Sequence, residues 1–314
     1  MRLVSWNVNG VRAVASRGDL DWLFAGEADV VCLQETKIQE SAVSDALRSP
    51  AGFCSYWTFG KKKGYSGTAI FVKAGLVVEP FDFRVGAGAH PEYDTEGRVV
   101  GVDFGSFVLL NVYFPNGGSN GERLAFKHAW HDAFLDELQK LAARRPVVVC
   151  GDFNVAHRPI DLALPQKWST VSGFLPEERA WFDRLVHAGF VDTFRAEKGD
   201  LERQFTFWET RVDARRENLG WRIDYFVVSK DLEERIVDAW ISPQIFGSDH
   251  CPTGLELDVR VQKTALAAQG VTRAGSIEVR GVQHDVVDDA FDDVEGVDED
   301  HGGDDDDEPP RYRR

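Results

Sequence analysis

Apolar and polar positions along this chain alternate in short blocks. Runs rich in Val, Leu, Phe and Trp predict strands over 2–7, 29–34, 67–72, 99–104, 107–113, 146–150, 224–228 and 253–260. Between 121 and 143 the spacing changes: Trp130, Phe134, Leu138 and Leu141 recur with a helical period, and Glu177–His187 reads as a second helix opened by Pro176. Strands interspersed with helices indicate an α/β chain. No repeat of solenoid period is visible.

Several apolar runs end in a chemically capable residue. Val4-Ser-Trp-Asn-Val-Asn-Gly10 brings Asn7, Val30-Val-Cys-Leu-Gln-Glu-Thr-Lys37 brings Glu35, and Leu109-Leu-Asn-Val-Tyr-Phe-Pro-Asn116 brings Tyr113. Val147-Val-Val-Cys-Gly-Asp-Phe-Asn154 brings Asp152 and Asn154, Trp221-Arg-Ile-Asp-Tyr-Phe-Val-Val228 brings Asp224, and Phe246-Gly-Ser-Asp-His-Cys-Pro-Thr253 brings Asp249 and His250. Any one of these suits a cap or a turn. All of them end very apolar strands, where a polar group is costly unless paired, and that points to one shared site. Carboxylates in number with one imidazole suit Mg²⁺, with Mn²⁺ as a substitute, better than Zn²⁺. Such a site suits phosphate-ester hydrolysis, in which a water is positioned and charge on the phosphate oxygens is neutralised.

The blocks that carry a family resemblance are Ser5-Trp-Asn-Val-Asn-Gly10, Leu33-Gln-Glu-Thr-Lys37, Gly64-Tyr-Ser-Gly-Thr-Ala69, Asn111-Val-Tyr-Phe-Pro-Asn116 and Gly151-Asp-Phe-Asn-Val-Ala-His157. Gly173-Phe-Leu-Pro-Glu-Glu-Arg179, Phe205-Thr-Phe-Trp208, Gly220-Trp-Arg-Ile-Asp-Tyr-Phe226 and Gly247-Ser-Asp-His-Cys-Pro252 follow in order. Over residues 1 to about 260 the chain resembles the exonuclease III/abasic-site endonuclease family, within the wider endonuclease/exonuclease/phosphatase fold. The Gly173, Phe205 and Gly220 blocks carry the likeness to its DNA-repair branch.

The resemblance implies a four-layer sandwich of two packed β-sheets flanked by helices. It implies hydrolysis of the phosphodiester 5′ to abasic sites in duplex DNA, with 3′→5′ exonuclease and 3′-end-cleaning activity. Glu35 would be the principal metal ligand, with Asn7 and Asp249 near the ion. Asp152 would activate the water, Asn154 would hold it, and His250 oriented by Asp224 would meet a phosphate oxygen or act as the base. Tyr113 would contact the phosphate or assist the leaving group. Phe207, Trp221 and Ile223 would wall a slot for a base-free sugar, and Asn116 and Lys37 would bind substrate. Ser119 stands where some relatives carry an Arg, Val171 where an Asn often precedes Gly173, and Asn9 where animal enzymes carry Asp. A small phosphate ester or a phospholipid as substrate, and a non-catalytic nucleic-acid-binding relative, are the rival readings. The Phe205 and Gly220 blocks oppose the first, and the presence of Glu35, Asp152 and His250 opposes the second.

Composition refines this picture. The chain has 314 residues, 43% hydrophobic, with nine Trp and 21 Phe, enough for one large core. A catalytic domain is expected over 1–262 and an acidic tail of disorder-type composition over 263–314, solvating or docking an unknown partner. The net charge is −16, and 263–314, with 6 Lys/Arg and 15 Asp/Glu, carries more than half of it. Lys61–Lys63 and Arg203, Arg211, Arg215, Arg216 and Arg222 remain as a DNA-facing rim. Cys32, Cys54, Cys150 and Cys251 show no metal-like spacing and read as reduced thiols, with Cys54 near a turn. A cytoplasmic monomer without a membrane segment is expected.

Overall fold

The computed structural model describes residues 1–118, 121–210 and 213–263. The readings made for Ser119, for Arg211 and for the tail beyond Lys263 lie outside the described residues. The strands are β1 (Arg2–Asn7), β2 (Val30–Gln34), β3 (Phe53–Thr58), β4 (Thr68–Lys73), β5 (Glu79–Phe81), β6 (Val99–Asp103) and β7 (Val108–Tyr113). Then come β8 (Val147–Asp152), β9 (Phe190–Asp192), β10 (Phe207–Trp208), β11 (Gly220–Trp221), β12 (Asp224–Ser229), β13 (Ile236–Ile241) and β14 (Thr253–Leu257).

Two six-stranded sheets form, ordered β13-β14-β1-β2-β4-β3 and β5-β6-β7-β8-β12-β9. Each has one parallel pair near its centre, β1 with β2 and β7 with β8; the remaining pairs are antiparallel. Side chains alternate across each strand, so every strand feeds two cores. In β2, Val30 and Cys32 face the other sheet, where they meet Val102, Leu109, Val148, Cys150 and Phe226; Val31 and Leu33 face outward. On the outside of the second sheet the helices Leu124–Ala142 and Pro176–His187 bury Trp130, Phe134, Leu138, Trp181, Phe182 and Leu185. Short helices supply Val11, Val14, Leu23 and Leu47 to the outside of the first sheet. The result is the expected sandwich of helices, sheet, sheet and helices.

Missing from the sequence reading are the six-residue edge strand β3, paired throughout with β4, and several short or peripheral strands. β5 has only three residues and contains Pro80, β13 is half-exposed, and β10 and β11 have two residues each. Cys54 is near a turn as expected: it is the second residue of β3, just after the turn at Ala51–Gly52, and lies opposite Val72 of β4. The last strand stops at Leu257, short of the expected 260. The four cysteines are free, and Cys32, Cys150 and Cys251 are buried.

A polar seam ties the sheets together below one rim. Gln34 Nε2 donates to Ser5 Oγ at 2.9 Å and across the interface to Asn111 Oδ1 at 2.6 Å. Asn111 Nδ2 in turn donates to the Leu33 and Ala69 carbonyls at 3.0 and 2.8 Å. Hydrogen bonds of this kind between buried polar groups fix one relative placement of the sheets, because a slip would break several at once.

Candidate active site

Strand direction gathers the polar residues at that rim. The parallel pairs end together, with Asn7 and Glu35 on one sheet and Tyr113 and Asp152 on the other. β12 runs antiparallel to β8, so its first residue, Asp224, lies opposite Asp152. β14 runs antiparallel to β1, which brings the preceding segment, Asp249-His250, to the same edge.

The backbone at this rim is unusual. Asn9, Glu35, Lys37 and Asn154 have φ of 47°, 49°, 50° and 53°. Asn tolerates the left-handed region; Glu and Lys reach it at a cost of about 1 kcal/mol or more each. Gly10 N and Val11 N donate to the Glu35 and Thr36 carbonyls, and Thr36 N and Lys37 N to Gly67 O and Ser66 O, which holds the segment in place. Behind Asp152, Gly151 at φ 132° admits no side chain: a Cβ there would lie 1.9 Å from the Val112 carbonyl oxygen.

Hydrogen bonds join the members. Asn7 Nδ2 donates to Glu35 Oε1 at 3.0 Å and to Asp152 Oδ2 at 2.9 Å, bridging the sheets. Asp152 Oδ1 accepts from Asn154 N at 2.8 Å, and Asn154 Nδ2 is held by the Phe114 carbonyl at 2.8 Å. His250 Nδ1 donates to Asp224 Oδ2 at 2.8 Å, leaving Nε2 3.9 Å from Asp152 Oδ2. Asp249 is held at the cleft edge by Asn9 Nδ2, at 3.0 and 3.1 Å, and by Ser248 Oγ at 3.1 Å. Lys37 pairs with Glu35 Oε2 at 2.8 Å and also with Asn9, so its ammonium neutralises the site carboxylate.

Burial and charge crowding set protonation. Asp152 is buried beside Asp224 and Glu35, and its carboxyl is pushed up to about 7 although His250 opposes this. Burial works against a charged His250, yet Asp224, by charge and hydrogen bond, with Asp152 and Asp249, outweighs it and raises the imidazole to about 10. His250 is therefore an imidazolium at neutral pH, with Nε2–H available to donate. Burial and then Glu35 keep the Tyr113 phenol protonated. Burial does the same for the Cys251 thiol, which removes it as a thiolate ligand.

Among the described residues, one group of His, Cys, Asp or Glu could hold a metal: Glu35, Asp152 and His250, with ligand atoms within 4.8 Å of one another. Two of the three are carboxylates, and the Nδ1 of His250 is already taken up by Asp224. Such a donor set fits a hard divalent cation.

This cluster floors a cleft of about 890 Å³ that Tyr113, Asn116, Asn154 and Asp249 also line. One wall is apolar. Phe207 and Trp221 are register partners in the β10–β11 hairpin, and Ile223, Leu162 and Phe174 pack with them. Trp168 stacks on Trp221 at 4.9 Å between ring centroids. Sequence reasoning missed Trp168, which lies in a polar turn segment without periodicity. Phe207 faces the cleft beside His250, with ring centroids 4.9 Å apart. Trp208, on the opposite face of the strand, is a core residue under Arg215.

The basic rim shrinks. Arg222 is not on it: in the two-residue link between β11 and β12 it turns inward, where it is 1% exposed and pairs with Asp161 and Asp192. Arg215 is spent on the carbonyls of Pro243, Ile245 and Ser248, and Arg216 pairs with Asp213. Lys61, Lys62, Lys63 and Arg203 stay exposed, and Lys62 reaches the cleft. Asn116 is also exposed, its Oδ1 accepting from Gly118 N at 3.2 Å.

The family model described as the Endonuclease/Exonuclease/phosphatase family matches residues 4–250. The chain belongs to that family. Members of the family with similar sequences include an exodeoxyribonuclease of Bacillus subtilis (strain 168), 45% identical over 82% of this chain and all of that protein. The DNA repair nuclease APEX1 of Danio rerio is 42% identical over 82% of this chain and 83% of its own length. The structure is also similar to that of an AP endonuclease from Archaeoglobus fulgidus, with TM-score 0.72, 30% identity, and coverage of 82% of this chain and 100% of that one. The family match spans the rim from Val4 within β1 to His250.

Proposed function

We propose that this chain hydrolyses the phosphodiester 5′ to abasic sites in duplex DNA and trims 3′ ends, as a monomer that uses Mg²⁺ or, in its place, Mn²⁺. It is a DNA-repair nuclease, a phosphodiester hydrolase whose relatives carry exodeoxyribonuclease and DNA-repair names. The observation that carries the finer reading is the juxtaposition in one cleft of the Glu35–Asp152–His250 cluster with the Phe207–Trp221–Ile223 wall.

Glu35 would hold the cation, with Asn7 and Asp249 near it, and the cation would supply charge neutralisation at the phosphate and at the departing oxygen. Asn154 and Asp152 orient the attacking water, and Asp152 accepts its proton. Burial beside Asp224 pushes its carboxyl up to about 7, so it is able to take a proton near neutral pH. His250, charged and fixed by Asp224, donates from Nε2 to a non-bridging oxygen, where negative charge develops. Tyr113, a protonated phenol at the same rim, donates to the phosphate or to the leaving oxygen.

The apolar wall accepts a sugar turned out of the duplex. Turning out a nucleotide costs least where the base is missing, so a slot of this kind favours the lesion twice over, by size and by unstacking. Lys61–Lys63 and Arg203 provide backbone contacts, to be read from the salt dependence of binding. A phospholipid headgroup would find a stacked indole pair where its polar groups need partners. No helix among the described residues is long and apolar enough to cross a membrane; a cytoplasmic location belongs to the same proposal.

The test is single-turnover cleavage of a duplex with one abasic analogue beside its undamaged twin, in Mg²⁺ and in EDTA. Fast, metal-dependent incision 5′ to the lesion is expected. Incision indifferent to the lesion, or activity that persists in EDTA, would refute the proposal.

A further inference from the structure

A second set of charges lies just behind the cleft. Lys127, on the helix Leu124–Ala142, and Glu178, on the helix Pro176–His187, form an ion pair with both side chains 0% exposed. Lys127 Nζ also donates to the Asn154 carbonyl at 2.8 Å. Glu178 takes up three further donors from a single loop: Ser172 Oγ at 2.8 Å, Gly173 N at 2.6 Å and Leu175 N at 2.9 Å. That loop forms part of the slot. Gly173 packs so closely on the Trp221 indole that a Cβ would lie 3.2 Å from it, and Phe174 is buried against Ile223. Ala156 N closes the circuit on Gly173 O at 2.7 Å.

Stability does not account for such a pair. Desolvating two charges costs about as much as their attraction returns, and well-packed apolar residues of similar volume often serve a fold equally well or better. What the pair supplies is geometry, since the single Glu178 carboxylate fixes three points of the slot loop while its partner cation grips the residue that holds the water.

We infer that Lys127 and Glu178 are positioning residues that set the distance between the aromatic slot and Asn154, and thereby the preference for a base-free sugar over an intact nucleotide. The inference rests on the lesion-directed reading above. Loosening the pair lets the slot drift relative to the catalytic loop. Cleavage that needs the sugar seated in the slot then falls more than trimming that does not.

The experiment compares the wild type with Glu178→Gln and with the apolar double variant Lys127→Met/Glu178→Leu. Single-turnover rates are measured with Mg²⁺ on an abasic-analogue duplex and on 3′ trimming of the undamaged duplex, alongside thermal unfolding. In folded variants the ratio of lesion incision to trimming should fall by about tenfold, the scale of coupling between groups in one network. Equal loss of both activities, or an unchanged ratio, would make the pair merely structural and overturn the inference. If neither variant folds, Ser172→Ala removes one tether and should lower the ratio by a smaller factor; an unchanged ratio there overturns it as well. A wild type without lesion preference would instead defeat the underlying reading, before any variant is made.

Discussion

Replacing Arg222 by Met should destabilise the protein in a way that depends on pH. The guanidinium is 1% exposed. Its Nε donates to Asp161 Oδ1 at 2.8 Å, and its Nη1 and Nη2 to the two oxygens of Asp192 at 3.2 and 2.7 Å. Burial alone would push the Asp161 carboxyl up; Arg222, and after it Arg195, outweigh burial and bring it down to about 2 from 3.8. At ~1.4 kcal/mol per pH unit this corresponds to about 2 kcal/mol of stability from one carboxylate, with no solvent to screen it. A depressed acid contributes fully above its unfolded value near 4 and loses the contribution as pH falls toward 2. In Arg222→Met both carboxylates keep their burial and lose their main cation, a change worth about 3–5 kcal/mol at pH 7. Protonation then relieves the variant, so the deficit should shrink by about 2 kcal/mol between pH 5 and pH 3. Urea unfolding of both proteins at pH 7, 5 and 3, with equal slopes checked, measures this directly. A deficit that stays constant across this range would mean that lost packing, not lost charge, is responsible. A deficit below about 1 kcal/mol at pH 7 would show that the network is solvated.

Asp152→Asn and His250→Asn should each lower single-turnover cleavage by about 10²–10⁴ while moving the unfolding midpoint by only a few degrees, as checked by calorimetry. Gly151→Ala forces a Cβ onto the Val112 carbonyl in the central β7–β8 pair and should cost about 3 kcal/mol or more, seen as loss of soluble protein or of a cooperative circular dichroism melt. Truncation after residue 262 should leave cleavage intact in a steady-state nuclease assay. An inert or unfolded product would make the acidic segment integral.

The rim of the site was legible because polar residues that close very apolar runs stand out one by one, and strand polarity then forces them together. Asn7, Glu35, Tyr113, Asp152, Asp224 and His250 all arrived in this way. Arg222 was misplaced because nothing in the sequence announces that the two-residue link between β11 and β12 turns it inward to Asp161 and Asp192. The pairing of Lys37 with Glu35 was not legible, because both stand in left-handed backbone that the sequence does not announce. Lys127 and Glu178 were invisible because each, alone, reads as the solvated face of a helix. Only the packing of the two helices brings them together. β5, β9 and the β10–β11 hairpin carry too few residues for any period to show.

The pairing of β1 with β14 has a consequence for biosynthesis. Leu3 lies opposite Leu255, and the Met1 nitrogen donates to the Leu257 carbonyl, so β1, made before the rest of the domain, finds one of its two partners only at the end of it. At about 5–20 residues per second the wait is some tens of seconds. During that time an apolar strand has an open edge, and the cleft lacks its imidazolium. His250 and β14 thus join the cleft and the open sheet edge only when the whole domain has been made.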